Sequence, residues 1–179
     1  MESKDKRFIV EQKEGYTPEI GRLLSMMDYV RLTTLEEVAD LTAVELDYRV
    51  EGSGNSIGCL LYHMACVEEV YQIMTFDNRH PTDEELQKLE SGLGLGEKAH
   101  EKIYGKEIEF YKEQLSLVRE RTLERFKHKE DAWLDEVSPF GPNHFANNYF
   151  RWFHVYEDEL NHRGQIRLIR KHVKRVQES

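Results

Sequence analysis

The chain of 179 residues lacks the features that mark secreted and membrane-spanning proteins. It has two cysteines, Cys59 and Cys66, and on one helix their seven-residue spacing corresponds to about 10 Å of rise, too far for a disulfide between them. No apolar run approaches the ~20 residues of a membrane span, and the N-terminus has no apolar stretch of the length that a signal peptide requires. We therefore expect a cytoplasmic protein with reduced thiols.

An excess of positive charge is also missing. The chain has 25 Lys and Arg against 34 Asp and Glu, for a formal net charge of −9. A protein that binds nucleic acid or an anionic membrane needs clustered basic residues on one face, so we expect neither partner. Basic residues gather at the C-terminal end, where they suit the dipole of a helix C-terminus. With 39% hydrophobic and 33% charged residues, the composition is typical of one globular domain, which we place over residues 1–179.

Proline is scarce as well, with four in the chain, and the stretches between prolines show helical periodicity. Thr17 as N-cap and Pro18 at the first helical position predict the start of a first helix. Apolar, proline-free residues from Ser56 to about Phe76 predict a core helix. Alternating three- and four-residue apolar steps predict a third long helix from about Lys106 to Lys127. A final helix is predicted from about Phe145 to Val173.

Shorter segments lie between these helices. Thr34 and Glu37 have the spacing of a capping box, which predicts a short second helix in "TTLEEVADL", and "YRVEGSGNS" predicts a break. Residues 76–100 predict a connection with a helical turn or two and the Gly-rich stretch "SGLGLGEKAH". Connections of this length often border a functional site. Together these elements predict an all-α fold, a four-helix bundle with a long connection between its second and third long helices.

Two helix faces that should point into the bundle carry ionisable side chains. On the core helix, His63 shares a face with apolar neighbours that include Cys59, Leu60, Cys66, Val67, Val70 and Met74. On the last helix, His154, Asp158 and His162 share a face with Val155, Gln165 and Ile169. A buried Asp without a compensating charge is strongly destabilising, and a divalent cation supplies the missing charge. The pattern therefore indicates a candidate metal site. The alternatives are a hydrogen-bonded core histidine at position 63 and a solvent-facing polar stripe on the last helix.

The spacing limits which of these residues can bind one metal ion. His154 and His162 are eight residues apart, about 12 Å of rise, so they cannot both be ligands of the same ion. The pair is either His154 with Asp158 or Asp158 with His162, and His63 supplies a third ligand from across the bundle. Two His and one carboxylate leave coordination positions open, as in catalytic sites. The remaining histidine would then orient a ligand or carry a proton.

The segments "SIGCLLYHMACVEE" and "WFHVYEDELNHRGQIRLI" resemble the two characteristic helices of the DinB/YfiT-like superfamily, and the likeness spans essentially the whole chain. The resemblance implies a four-helix bundle, usually a homodimer, with a divalent metal held by a His on the second long helix and two residues four apart on the last. His63 matches the first ligand, and His162, which begins "HRGQI", matches the last. This selects Asp158 with His162. Most members have His in place of Asp158, whereas the mycothiol-dependent isomerase branch has Glu there.

Members of known activity are thiol-dependent transferases and isomerases, in which the metal lowers the pKa of a low-molecular-weight thiol. The resemblance therefore implies a transferase that uses a thiol of the bacillithiol type at His63, Asp158 and His162. One zinc or nickel ion per chain suits these ligands, and Fe(II) is also compatible. The alternatives are a non-catalytic, metal-stabilised binding or stress-response protein and a metal-dependent hydrolase.

Other residues have weaker assignments. No catalytic residue is assigned beyond the metal ligands, with His154 and Gln165 as residues that could support the site and Tyr62 as an acid or base candidate. A further alternative makes Cys59 or Cys66 the nucleophile, although buried cysteines are usually inert. Four residues of the last helix lie opposite the predicted metal face and suggest a homodimer: Tyr149, Phe153, Tyr156 and Leu160. The N-terminal segment or the long connection could cover that face instead.

Overall fold

The structure is a computed structural model that describes residues 6–50 and 54–178. Within these residues there are seven helices and one small sheet. Four helices are long: α1 (Pro18–Val38), α3 (Ile57–Phe76), α6 (Ile108–Phe126) and α7 (Asn148–Gln177). The others are α2 (Ala43–Asp47), α4 (Asp83–Leu93) and α5 (Gly96–Ile103). The all-α prediction is confirmed. Residues 1–5 of the N-terminal segment and residues 51–53 of the predicted break lie outside the described residues.

The long helices begin where polar side chains can bind their free backbone N–H groups. Ser56 accepts from the N–H of Cys59 at the start of α3, and Asn147 accepts from that of Phe150 at the start of α7. Thr17 precedes α1 as predicted, but its side chain does not cap the helix. Asp131, in a 3-10 turn over Asp131–Asp135, accepts the N–H groups of the first turn of α1 instead.

Two predictions for the shorter segments are wrong. Thr34 does not start a second helix: it is fully buried inside α1, because the apolar face of that helix continues to Val38. The capping box that starts α2 is formed by Thr42 and Glu45, which have the same spacing. The connection after α3 contains two helices, α4 and α5, rather than isolated turns.

The last helix begins at Asn148 rather than at Phe145. Residues Phe145–Asn147 form strand β2, which pairs antiparallel with β1, Val137–Pro139. The sheet therefore lies in the break that the two prolines and the glycine of "SPFGPNHF" predict. It packs beside the first turn of α7, where Asn148 donates to the carbonyl oxygen of Trp133.

A polar layer separates two apolar clusters in the core. One cluster includes Leu60, Leu115 and Ile166, and the other includes Phe76 and Trp152. Along each long helix, buried polar side chains lie between residues of the first cluster and residues of the second: Arg31 on α1, Glu68 on α3, Arg119 and Thr122 on α6, and Glu159 and His162 on α7. Because α3 packs against both α6 and α7, this layer is continuous across the bundle.

The α7 face opposite the predicted site is partly covered within the chain. Tyr149 and Tyr156 pack against the second apolar cluster. Tyr156 and Leu160 also line a cavity of about 310 Å³ together with residues 8–10 of the N-terminal segment. This segment is one of the two covers considered above, and the homodimer stays a prediction. No helix within residues 6–50 and 54–178 has the length and apolarity needed to span a membrane.

Candidate metal centre

The structure brings His63, Asp158 and His162 into one cluster. His63 comes from α3, and the other two lie one turn apart on α7. One potential ligand atom from each residue lies within 4.8 Å of the others. The Nε2 atom of His63 is 3.5 Å from Oδ2 of Asp158, and the Nε2 atom of His162 is 3.4 Å from Oδ1. The two imidazole rings stand nearly perpendicular, with centroids 4.8 Å apart. Both imidazoles therefore point a ring nitrogen at one carboxylate.

The cluster is largely shielded from solvent but open on one side. The side chains of His63 and His162 are 12% and 10% exposed, whereas that of Asp158 is 21% exposed. The packing of α3 against α7 supplies this shielding. The exposed fraction is therefore largest at the carboxylate.

A backbone carbonyl of α4 orients His63. The Nδ1 atom of His63 is 2.9 Å from the carbonyl oxygen of Gly92, near the C-terminal end of that helix, where carbonyls have no partner within the helix. Since a carbonyl can only accept, Nδ1 carries a proton, and Nε2 is the ring nitrogen that faces Asp158. A hydrogen bond of this kind is typical of histidines that bind metals, since it fixes both the tautomer and the ring.

Gly92 can approach His63 because it has no side chain. A Cβ on Gly92 would lie 2.9 Å from the Cβ of Cys66 and would collide with its Sγ, and it would lie 3.1 Å from a ring carbon of Tyr62. The Gly-rich stretch "SGLGLGEKAH", predicted as a site border, thus supplies the atom that positions His63. Its sequence did not show which of its glycines would do so.

Several polar atoms of the cluster have no hydrogen-bond partner. Oδ2 of Asp158 and Nδ1 of His162 are both buried and unpartnered. Burial opposes ionisation of Asp158, but its interactions with His162 and His63 outweigh burial and hold its pKa well below the usual range. An ionised carboxylate therefore faces two imidazole nitrogens across gaps too long for good hydrogen bonds.

This donor set fits a divalent cation. Two imidazoles and one carboxylate are ligands of zinc, nickel and iron, and three protein ligands leave positions for solvent or substrate. A cation between the three residues would give partners to the unpaired carboxylate oxygen and to the lone pair of His63 Nε2. The arrangement also matches the alternative in which an imidazolium pairs with the carboxylate, and metal analysis distinguishes the two.

The structure keeps His154 and Gln165 apart from the cluster. His154 is 39% exposed, and its Nδ1 lies 2.9 Å from a carboxylate oxygen of Glu157. Its ring stacks on Phe150 and meets the edge of Tyr71. Gln165 is exposed to solvent. Of the two α7 pairs that the spacing left open, the described cluster contains Asp158 with His162.

Cys66 and Tyr62 have surroundings that suppress ionisation. Cys59 and Cys66 are both buried. Burial, assisted by Glu69, raises the pKa of the Cys66 thiol to about 12, and burial also raises the pKa of Tyr62. A thiol is nucleophilic as the thiolate, so the environment of Cys66 disfavours the cysteine alternative at that residue.

A buried ion-pair network lies beside the cluster and was not predicted from the sequence. Arg31 donates to both Glu159 and Glu68, and Arg119 donates to Glu68, which also accepts from the hydroxyl of Thr122. Glu68 and Glu159 are almost fully buried. The available signal was a charged residue within each apolar stripe: Arg31 lies four residues after the core residue Met27, and Glu159 lies four residues after Val155.

Comparison with known proteins places this chain in a family. A profile of mycothiol S-transferase matches residues 22–174, which contain all three residues of the cluster. The chain belongs to the mycothiol S-transferase family. This membership confirms the predicted DinB/YfiT-like superfamily, and it indicates a thiol S-transferase-like function.

A solved structure supports the fold of this mycothiol S-transferase family member. The crystal structure of a conserved protein from Enterococcus faecalis superposes with a TM-score of 0.64 at 18% identity, covering 83% of this chain and 93% of that one. At that identity the likeness concerns the fold alone. A comparison with functionally curated proteins gives no match.

Proposed function

We propose that the protein is a metal-dependent S-transferase that activates a low-molecular-weight thiol at His63, Asp158 and His162. The observation that carries the proposal is the cluster itself: three potential ligand atoms within 4.8 Å of one another, with a buried carboxylate oxygen that has no hydrogen-bond partner. Membership of the mycothiol S-transferase family supports the reaction class. The proposed thiol is of the bacillithiol type, and the proposed metal is zinc or nickel, with Fe(II) as a further possibility.

The chain's own residues divide the work of holding and presenting the site. A bound divalent cation would lower the pKa of a thiol and so supply the thiolate nucleophile. His63 and His162 would provide neutral nitrogen ligands, and Asp158 would provide the compensating negative charge. Gly92 keeps His63 in the tautomer that presents Nε2. The 21% exposure of Asp158 leaves a direction from which the thiol and its acceptor can approach.

Metal content tests the ligand assignment directly. Untagged wild-type protein and the variants Asp158→Ala, His162→Ala and His154→Ala are to be analysed by mass spectrometry after dialysis against Zn²⁺ or Ni²⁺. We expect about one metal per chain in the wild type and in His154→Ala, because His154 pairs with Glu157 outside the cluster. The other two variants should lose the metal. Wild-type protein that takes up neither metal contradicts the proposal.

A transfer assay tests the reaction. Metal-loaded protein is incubated with bacillithiol, cysteine or glutathione and an electrophilic acceptor, with His63→Ala as the control that lacks one ligand. Acceleration that depends on His63 supports the transferase. A metal-loaded protein that accelerates the transfer of none of these thiols would instead be a metal-stabilised binding protein, the main alternative from the sequence.

A further inference from the structure

A second cavity lies near the start of α7. It has a volume of about 160 Å³ and is formed where the end of α3, the segment after it and strand β1 meet α7. Its lining is mainly polar and basic: Met74, Asn78, Arg79, His80, Ser138, Pro139 and Arg151. Arg151 is the lining residue from α7, and it lies two helical turns before Asp158.

Arg151 is a buried cation without an acidic partner. The residue is 2% exposed, and no carboxylate among residues 6–50 and 54–178 lies within ion-pair distance of its guanidinium. Its terminal nitrogens donate to Ser138 and Pro139, two of the three bonds being to backbone carbonyls. Its Nε is buried and has no partner at all. The guanidinium carbon lies 5.8 Å from the ring centroid of Phe140, so an aromatic face rather than a carboxylate is next to the charge, and Nε–H is left as an unpaired donor.

This arrangement is unusual for a buried arginine and costly in free energy. Burial lowers the pKa of Arg151, only partly offset by the nearby Tyr71. Arg79, at the same cavity, has a different environment: Glu85 binds it at 2.7 Å in a two-bond pair, and Asp77 lies 3.8 Å away. The buried Arg31 and Arg119 also have carboxylate partners. Among these four arginines, Arg151 alone has no carboxylate partner.

The cavity is aligned with the candidate metal centre along α7. Seven residues separate Arg151 from Asp158, which places their backbones about 10 Å apart along the axis. The charges of both Arg151 and Asp158 act on the pKa of the Tyr71 hydroxyl, in opposite directions. The ring of His154, one turn from each on α7, meets Tyr71 with centroids 5.9 Å apart.

We propose that Arg151 and its cavity bind a carboxylate group of the thiol cosubstrate while the sulfur reaches the His63, Asp158 and His162 cluster. The assignment to a thiol rests on the function proposed above, whereas the anion site does not. A separation of about 10 Å is the length of roughly three extended residues, so an elongated thiol spans it when its carboxylate is at the end remote from the sulfur. The unpaired Nε–H and the positive charge of Arg151 suit a carboxylate, and a cavity of about 160 Å³ accommodates such an end group.

The side-chain Nε–H of Arg151 offers a direct probe, because it is the donor that the chain leaves unpaired. Metal-free, ¹⁵N-labelled wild-type protein is titrated with succinate, glutathione or 2-mercaptoethanol and followed by NMR. Succinate and glutathione should shift the Arg151 Nε–H signal in a saturable manner, and the neutral thiol 2-mercaptoethanol should not. An Nε–H signal that no anion moves overturns the proposal, whatever the variants show.

Two variants add a matched comparison of affinity. Arg151→Gln should weaken succinate binding about tenfold or more, as expected for the loss of a charged hydrogen bond. Arg79→Gln removes a charge at the same cavity from a residue already paired with Glu85, so a smaller decrease of about twofold is expected. Equal decreases in both variants would indicate general attraction to basic charge and would overturn the assignment to Arg151.

Failure of this proposal is distinguishable from failure of the proposed function. Succinate binding without glutathione binding overturns the link to a thiol but leaves the metal proposal intact. Metal content measured on Arg151→Gln should stay near that of the wild type, because none of the contacts of Arg151 involves the cluster. A protein that binds glutathione through Arg151 but takes up no metal retains this site and loses the transferase mechanism.

Discussion

Asp158 and Glu159 are neighbours on α7, yet their carboxylates lie in opposite kinds of environment. Glu159 is almost fully buried, and both of its oxygens accept hydrogen bonds from Arg31 at 3.0–3.2 Å. Asp158 faces two imidazole nitrogens at 3.4 and 3.5 Å, and its Oδ2 has no hydrogen-bond partner. One carboxylate is satisfied by the chain, and the other is left with capacity for an additional ligand.

The comparison separates polar residues that stabilise the fold from polar residues that can still bind a ligand. The two groups adjoin each other on α7, and His162 is as buried as Arg31 and Arg119, so burial alone does not distinguish them. What differs is whether the hydrogen-bonding capacity is used up within the chain. The ion-pair network of Glu68 and Glu159 should therefore determine stability, and the cluster of Asp158 should determine metal binding.

The largest expected effect is on stability and comes from breaking the network. Glu68→Ala leaves Arg31 and Arg119 buried without one of their carboxylates, which should lower the free energy of unfolding by about 3–5 kcal/mol. Asp158→Ala should change it by less than about 1 kcal/mol in metal-free protein, because no strong hydrogen bond is lost. Urea denaturation measures both. Equal destabilisation by the two variants would abolish the distinction drawn here.

Acid should weaken the same network. The arginine partners of Glu68 outweigh its burial and hold its pKa at about 2, below the ordinary 4.5. A depressed carboxyl pKa stabilises the fold above the unfolded value, and this contribution is lost as the pH falls from 4.5 towards 2. The free energy of unfolding should fall by up to about 3 kcal/mol, which corresponds to the lowering of the Glu68 pKa from 4.5 to about 2. The free energy of unfolding is measured against pH for the wild type and for Glu68→Gln, and the difference between the two profiles isolates the contribution of Glu68. Parallel profiles would contradict the assignment of this acid sensitivity to Glu68.

A smaller effect, confined to metal binding, should follow from Gly92→Ala. The new methyl group meets Cys66 and Tyr62, so α4 must shift and the carbonyl bond to His63 lengthens. Loss of a hydrogen bond that orients a metal ligand typically lowers affinity about 10–100-fold. Competition with a zinc chelator gives the dissociation constant. Gly94→Ala, in the same stretch but not bonded to His63, is the control, and an equal loss there would point to general disruption of α4.

The contrast between the two groups also explains what the sequence could and could not predict. Four-residue spacing and an apolar background indicated His63 and a pair on the last helix that contains Asp158, and the family resemblance then selected His162 over His154. The four long helices followed from the same periodicity. The short helix α2 did not follow from periodicity, because Thr34 with Glu37 and Thr42 with Glu45 have identical capping-box spacing. Only tertiary packing favours the second pair. Partners from distant segments, such as Gly92 for His63 or Arg119 for Glu68, have no local signal.

The smallest expected effect concerns Gln165, which the sequence analysis assigned as a supporting residue because it shares a helix face with Asp158 and His162. In the structure it is exposed, two turns beyond Asp158 and three residues after His162. Gln165→Ala should therefore change the free energy of unfolding by no more than about 0.5 kcal/mol. Its zinc dissociation constant should stay within about twofold of the wild type, against the 10–100-fold change for Gly92→Ala. A tenfold loss of zinc affinity in Gln165→Ala would show that the exposed amide reaches the cluster when the metal is bound. The position of a residue on a helix face would then predict its support of His162 better than its burial does.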